Sequence, residues 1–128
     1  MRLLLDTHVL LAVLRDDVLT SYRQFGAYWM DSKTACLVSA VSLWEIAIKT
    51  RLGKLNPYIP LEKIEAYIDE LNLEIVPITA AHALEELDPL PPTRDPFDRL
   101  LLAQCQIEGM QLATVDRALA LHPLALKT

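Results

Sequence analysis

The chain has 128 residues, 52% of them hydrophobic, which is enough to bury the core of one compact domain over residues 1–128. Seventeen acidic and twelve basic residues give a formal net charge of −5, which excludes a protein that binds nucleic acid through a broadly basic surface. The two cysteines form no C-x-x-C motif, and no apolar run approaches the length of a membrane span. We therefore expect a cytoplasmic protein without a zinc site, a disulfide framework or membrane contact.

Four short apolar runs, each followed by a segment compatible with a helix, recur along the chain. They cover residues 3–5, 36–38, 73–76 and 112–115, and residues 60–71 form a further amphipathic helix pattern. Alternation of strands and helices favours a mostly parallel sheet, because each crossover between parallel strands needs a helix. The sequence predicts the α/β class, as a three-layer α/β/α sandwich with a mostly parallel central sheet.

Acidic residues follow the first and the last of these predicted strands. Asp6 comes directly after the first strand, and Asp116 follows the fourth. Open α/β sheets bind ligands at the carboxyl ends of their strands, so we expect both carboxylates in one crevice. The alternative for each is to cap the following helix, which is the commoner role of a single aspartate at such a position.

Glu45 interrupts the apolar face of a helix that we expect to start near Ser39. At helical spacing it shares this face with Val41 and Ile48. A carboxylate in the interior is costly unless it has a partner or a changed pKa. The side chain could belong to an acidic site, or it could form an ordinary helical ion pair with Lys49, four residues on. We favour the acidic site.

Asp98 repeats this pattern in a helix that we expect to begin at Pro96. Proline is common at the first helical position, so Asp95 is a natural N-cap. Asp98 then lies on the same face as Leu101 and Leu102 and should point toward the sheet. Its alternative role is to complement the positive end of the helix dipole.

Four carboxylates that meet at one edge of a sheet would repel one another strongly. Such a group, made of Asp6, Glu45, Asp98 and Asp116, requires a cation. Oxygen ligands select hard divalent ions, so Mg²⁺ or Mn²⁺ is the expected cofactor. The three histidines share no spacing typical of a metal site, which argues against zinc.

Four segments, LLDTH at 4–8, SLWEIAIK at 42–49, DPFDRLL at 95–101 and TVD at 114–116, together resemble PIN-domain nucleases of the VapC toxin type. The resemblance extends over essentially the whole chain and implies a PIN-like fold. It places the catalytic and metal-binding acids at Asp6, Glu45, Asp98 and Asp116, and it places a hydroxyl that orders the site at Thr114.

The resemblance also implies a function, a substrate and partners. It implies a Mg²⁺- or Mn²⁺-dependent ribonuclease that hydrolyses RNA phosphodiester bonds, acts as the toxin of a toxin–antitoxin pair, binds a cognate antitoxin and forms a homodimer. Lys49, Arg94 and Arg99 lie near the acids in sequence and could hold RNA phosphates. Two alternatives are a catalytically inactive PIN-like interaction module and a phosphoacceptor receiver domain, although the latter would need an aspartate after a middle strand, where Pro77 follows Val76.

Overall fold

The core of the fold is a parallel sheet, seen in a computed structural model that describes residues 1–127. Its strands are β1 (Arg2–Leu5), β2 (Ala35–Ser39), β3 (Glu74–Val76) and β4 (Gln111–Ala113). Their order across the sheet is β3-β2-β1-β4. Each strand overlaps one of the four predicted runs, so the mostly parallel sheet is confirmed.

Helices connect and cover the strands, and several of them begin or end at the residues that local sequence signals indicate. Asp95 caps the last long helix, Pro96 is its first residue, and Gly109 ends it with a left-handed φ of 69°. The helices are α1 (Thr7–Leu14), α2 (Val18–Ser21), α3 (Gly26–Met30), α4 (Ala40–Arg51), α5 (Leu61–Glu70), α6 (Ala80–Leu84) and α7 (Pro96–Glu108), with a 3₁₀ turn at Arg23–Phe25.

The two faces of the sheet are buried by different helices, as the pleat of a strand requires. Leu3 and Leu5 pack in one cluster with residues of α1, α2 and α5, whereas Leu4 packs on the opposite face with α7. Helix α4 contributes to both layers, through Ile46 on the first face and Val41 on the second. The predicted three-layer sandwich is therefore confirmed.

The connectivity of the sheet changes direction beside β1. From β1 the chain continues to β2 and β3 on one side, while β4 pairs on the other side. The backbone N–H of Asp6 donates to the carbonyl of Ala113 at 3.0 Å, which joins the ends of β1 and β4. A crevice at such a switch point is the usual ligand site of an open α/β sheet. Within residues 1–127, no helix is both long and apolar enough to cross a bilayer.

Candidate active site

Asp6 lies at the switch point and is fixed by backbone groups from two elements. Its Oδ1 accepts the N–H of Val9 at 2.8 Å, and its Oδ2 accepts the N–H of Val115 at 3.2 Å. Burial raises the pKa of Asp6, while hydrogen bonds from Thr114, Val9 and Val115 act in the opposite direction. The carboxylate of Asp6 therefore caps α1, which was the alternative to a role in the site. It also lies at the strand end where we expected an acid of the site.

Thr114 links the two strand-end acids. Its hydroxyl donates to the Asp6 carboxylate, and its Oγ1 accepts the backbone N–H of Asp116 at 3.1 Å. Asp116 is half-buried, and its Oδ1 accepts the N–H of Ala118 at 2.8 Å. This arrangement agrees with a site-ordering role for Thr114, which stays a prediction.

Glu45 enters the same region from α4, which begins after its N-cap Ser39, as expected. The residue is only 6% exposed. The Thr7 hydroxyl donates to its Oε1 at 2.6 Å, and the ammonium of Lys49 donates to its Oε2 at 2.5 Å. The helical ion pair that we had ranked second is thus present, and it coexists with the placement of Glu45 near the other acids.

Two hydroxyl residues that support Glu45 were missed in the sequence. The Oγ1 of Thr7 lies 3.1 Å from the Oγ of Ser42 and 2.6 Å from the Glu45 carboxylate. Thr7 has one proton, which goes to the closer and charged acceptor, so the Ser42 hydroxyl donates to Thr7. A usable signal was present, because Thr7 directly follows Asp6 and Ser42 lies one helical turn before Glu45.

Asp98 is half-buried in the first turn of α7, and its pKa, like that of Asp6, is raised. Asp95 caps this helix as predicted, since its Oδ1 accepts the N–H groups of Phe97 and Asp98 at 2.8 and 3.4 Å. Burial raises the pKa of Asp98 to about 6, and it is assisted by the negative charges of a set of neighbours. These neighbours are, in order of effect, Asp95, Asp116, Glu45 and Asp6.

The four predicted acids therefore come from four different elements and lie close enough for the other three to change the ionisation of Asp98. The family model of the PIN domain matches residues 3–122 of the sequence. The chain belongs to the PIN domain family. No curated protein matches the sequence.

A solved structure shares the fold of this PIN domain. It is a chain of the crystal structure of VapBC2 from Rickettsia felis bound to a DNA fragment from their promoter, with a TM-score of 0.63 and 16% sequence identity. The superposition covers 98% of this chain and 96% of that chain. Membership of the PIN family leaves the receiver-domain alternative without support. The position of β3 also argues against it, because a receiver domain needs an aspartate after a middle strand, whereas β3 is an edge strand followed by Pro77.

The donor set of the PIN domain fits a hard divalent cation. The four acids offer only oxygen ligands, and the negative charges of Asp116, Glu45 and Asp6 add to burial and to Asp95 in raising the pKa of Asp98. Across residues 1–127, no three His, Cys, Asp or Glu side chains are arranged closely enough to hold an ion together. The charge of the cluster thus favours a cation, while the side chains would have to move closer together to coordinate one.

The two buried histidines have structural partners elsewhere in the PIN domain. His82 lies between α6 and α7, where its Nδ1 accepts the N–H of Thr79 and its Nε2 lies 2.9 Å from a carboxylate oxygen of Glu108. His122 bonds through Nε2 to the carbonyl of Pro89 at 2.8 Å. These contacts agree with the expectation that the histidines do not form a zinc site.

The three cations expected to hold phosphate differ in their surroundings. Lys49 is already bonded to Glu45, and the Nε of Arg99 donates to the carbonyl of Thr93 at 2.8 Å. Arg94 is exposed just before the N-cap of α7. Arg94 is therefore the most accessible of the three, and Lys49 is the one most closely joined to the acids.

Proposed function

We propose that this PIN domain is a Mg²⁺- or Mn²⁺-dependent ribonuclease and the toxin of a VapC-type toxin–antitoxin pair. One observation carries the proposal: Asp6, Glu45, Asp98 and Asp116 lie near one another at the carboxyl edge of the sheet, where burial and the charges of Asp95 and of the other three acids raise the pKa of Asp98. Membership of the PIN family supports nuclease chemistry. The toxin role also draws on the resemblance to VapC proteins and on the fold shared with a chain of the VapBC2 structure.

Asp6 and Asp116 are the residues that we expect to bind the ion directly, because Thr114 orients both of them at the switch point. A bound ion would lower the pKa of a water molecule and neutralise charge on the phosphate. Glu45 and Asp98 would bind a second ion or position the water by hydrogen bonds.

The RNA contacts are expected at the start of α7. Arg94 and Arg99 flank Asp98 in this segment, so they would place phosphates beside the acids in spite of the net charge of −5. Because so few cations are involved, binding should be local and should depend only weakly on salt.

The test is cleavage of a labelled RNA by purified protein with Mg²⁺, with Mn²⁺ and with a chelator, beside DNA of the same sequence. We expect the RNA to be cut only when a divalent ion is present. Asp116→Asn should remove cleavage, whereas Asp69→Asn, which changes an exposed acid on α5, should not. Full cleavage in the chelator, or equal cleavage by the Asp116→Asn protein, would contradict the proposal.

The inactive interaction module remains the second candidate, and one observation favours it. Both carboxylate oxygens of Glu45 already have partners, Thr7 and Lys49, as would suit an acid with a purely structural role. Mn²⁺ titration separates the two candidates. An enzyme should bind Mn²⁺ in a way that Asp6→Asn abolishes, whereas an inactive module should not.

The partner proteins can be tested separately from the chemistry. We expect the product of the gene beside this one to bind the PIN domain and inhibit cleavage, and the free nuclease to form a homodimer. Size-exclusion chromatography with light scattering measures both. A monomer that ignores the neighbouring gene product would contradict this part of the proposal and leave the nuclease proposal standing.

A further inference from the structure

We propose that Lys49 is the built-in counter-ion of the acidic site, and that its ammonium competes with a divalent cation for the Glu45 side of the cluster. This inference rests on the proposed function, because it assumes that the four acids bind a metal. It assigns Lys49 a role different from that of a phosphate ligand.

The position of the ammonium is defined by groups from two helices. Its Nζ lies 2.5 Å from the Oε2 of Glu45 on α4 and 5.8 Å from the ring centroid of Phe97 on α7. The ring of Phe97 is in turn held by an edge-on contact with Trp44 at 5.7 Å. A cation over an aromatic face is attracted by it, so Lys49 is held between α4 and α7.

The charges around Lys49 place it within the acidic cluster. The hydrogen bond to Glu45 raises the pKa of Lys49, and the charges of Glu45, Asp95 and Asp98 raise it further. Asp95 is the N-cap of α7 and Asp98 lies in its first turn, on either side of Pro96 and Phe97, and the ammonium lies over the Phe97 ring. The ammonium therefore balances part of the same negative charge that raises the pKa of Asp98.

Competition follows from the hydrogen bonds of Glu45. Its Oε1 is occupied by the Thr7 hydroxyl and its Oε2 by Lys49. A divalent ion that binds Oε2 would share this oxygen with the ammonium and be repelled by it, and an ion bound elsewhere in the cluster would be repelled as well. Coulomb repulsion over a few ångströms is large at the effective dielectric of a partly buried site. The same lysine should therefore stabilise the metal-free protein and weaken metal binding.

The experiment is a calorimetric titration of Mn²⁺ into the full chain without RNA. We expect Lys49→Met, which keeps the apolar stem but removes the charge, to bind Mn²⁺ at least about tenfold more tightly than the unchanged protein, equivalent to about 1.4 kcal/mol. Lys49→Arg keeps the charge and should restore the original affinity. Lys49→Gln keeps a hydrogen-bond donor without the charge and should behave like Lys49→Met. It can therefore replace the methionine variant if that protein does not fold.

The matched control is Lys54→Met, which removes the same charge from an exposed lysine beyond the end of α4. We expect its Mn²⁺ affinity to change by less than about twofold, because solvent and salt screen an exposed charge. A second measurement is the melting temperature in chelator, which should fall in Lys49→Met and not in Lys54→Met.

The outcomes separate this inference from the proposed function. If the unchanged protein binds Mn²⁺ and Asp6→Asn does not, but Lys49→Met binds with equal or lower affinity, the counter-ion role is wrong and the metal site stands. Weaker RNA binding by that variant would then return Lys49 to the phosphate role. If none of the proteins binds Mn²⁺, both the inference and the proposed metal site are overturned.

Discussion

The acids at the strand ends and the acids on the helices are held by different kinds of contact. Asp6 accepts backbone N–H groups from Val9 and Val115, whose positions follow from the first turn of α1 and the pairing of β1 with β4. Glu45 is held by the side chains of Thr7 and Lys49. Sheet pairing thus fixes the first carboxylate, whereas the second depends on individual side chains that a point mutation can remove.

Asp98 is the least tightly bonded of the helical acids. The hydroxyl of Thr93 lies 3.5 Å from its Oδ2, at the long limit of a hydrogen bond. Of the four acids, the two on helices, Glu45 and Asp98, should therefore be those whose ionisation and position are most easily changed by mutation. The predictions below test this difference, beginning with the largest expected effect.

The largest effect should follow from Asp98→Asn. This change keeps the shape of the side chain and removes one charge from the cluster, so we expect cleavage to fall by a factor of about 10² or more. The metal-free protein should be equally or more stable, because the cost of burying a charge and the repulsion from Asp95, Asp116, Glu45 and Asp6 are relieved. Cleavage rates and thermal melts in chelator measure the two effects, and a variant that is both active and less stable would contradict the assignment.

Thr7→Val should come next, because it removes a buried hydrogen bond to a charged group without changing the size of the side chain. We expect the free energy of unfolding to fall by about 1.5–3 kcal/mol. Thr7→Ser keeps the hydroxyl and is the control. Urea denaturation compares the three proteins. If the valine and serine variants lose equal stability, the bond from Thr7 to Glu45 does not support the helical half of the cluster.

Asp95→Ala should have a smaller effect and one of a different kind. Loss of an N-cap typically costs about 0.5–2 kcal/mol, and measurable RNA cleavage should remain at low temperature. Asp95→Asn, which retains a capping side chain, is the control and should melt near the unchanged protein. If Asp95→Ala abolished cleavage at an unchanged melting temperature while Asp98→Asn stayed active, the third acid of the site would be Asp95.

The pH dependence of stability in chelator should reflect the raised pKa of Asp98. The pKa of Asp98 is raised from 3.8 to about 6, so between these values the folded protein holds a proton that the unfolded chain releases. The contribution of Asp98 to stability is fully present below pH 3.8 and is lost as the pH rises through about 6. Melting temperatures of the unchanged protein should thus fall relative to those of Asp98→Asn over this range. Parallel curves would contradict the raised pKa.

The sequence was sufficient for the strands and the long helices, because these depend on local patterns. Apolar runs predict β1 to β4, and the Asp95–Pro96 pair predicts the start of α7. The contacts between elements were not predictable in the same way. The hydrogen bond from Thr7 to Glu45 depends on how α1 packs against α4. The side chain of Gln104 is fully buried and bonded to Ser39, which depends on how α7 packs against the end of β2.

Lys49 illustrates the same limit. Its spacing from Glu45 indicated a helical ion pair, but the pattern alone could not show that the charges of Asp95 and Asp98, at the start of α7, also act on the ammonium. A pair that is ordinary on an isolated helix thereby becomes part of the candidate site. The interpretation of Glu45 as a site acid and its interpretation as an ion-pair partner were treated as alternatives, and the packing of α4 beside α7 makes them compatible.

The most direct test of the central claim is a crystal of this protein soaked in Mn²⁺, with anomalous diffraction data to locate the ion. We expect anomalous density at the carboxyl edge of the sheet, bonded to the carboxylates of Asp6 and Asp116, with Glu45 and Asp98 bound to the ion directly or through water. Crystals of Asp6→Asn, soaked in the same way, should lose this density. Density that is absent from the acidic cluster, or that persists there in Asp6→Asn crystals, would contradict the claim that these four acids form a metal site.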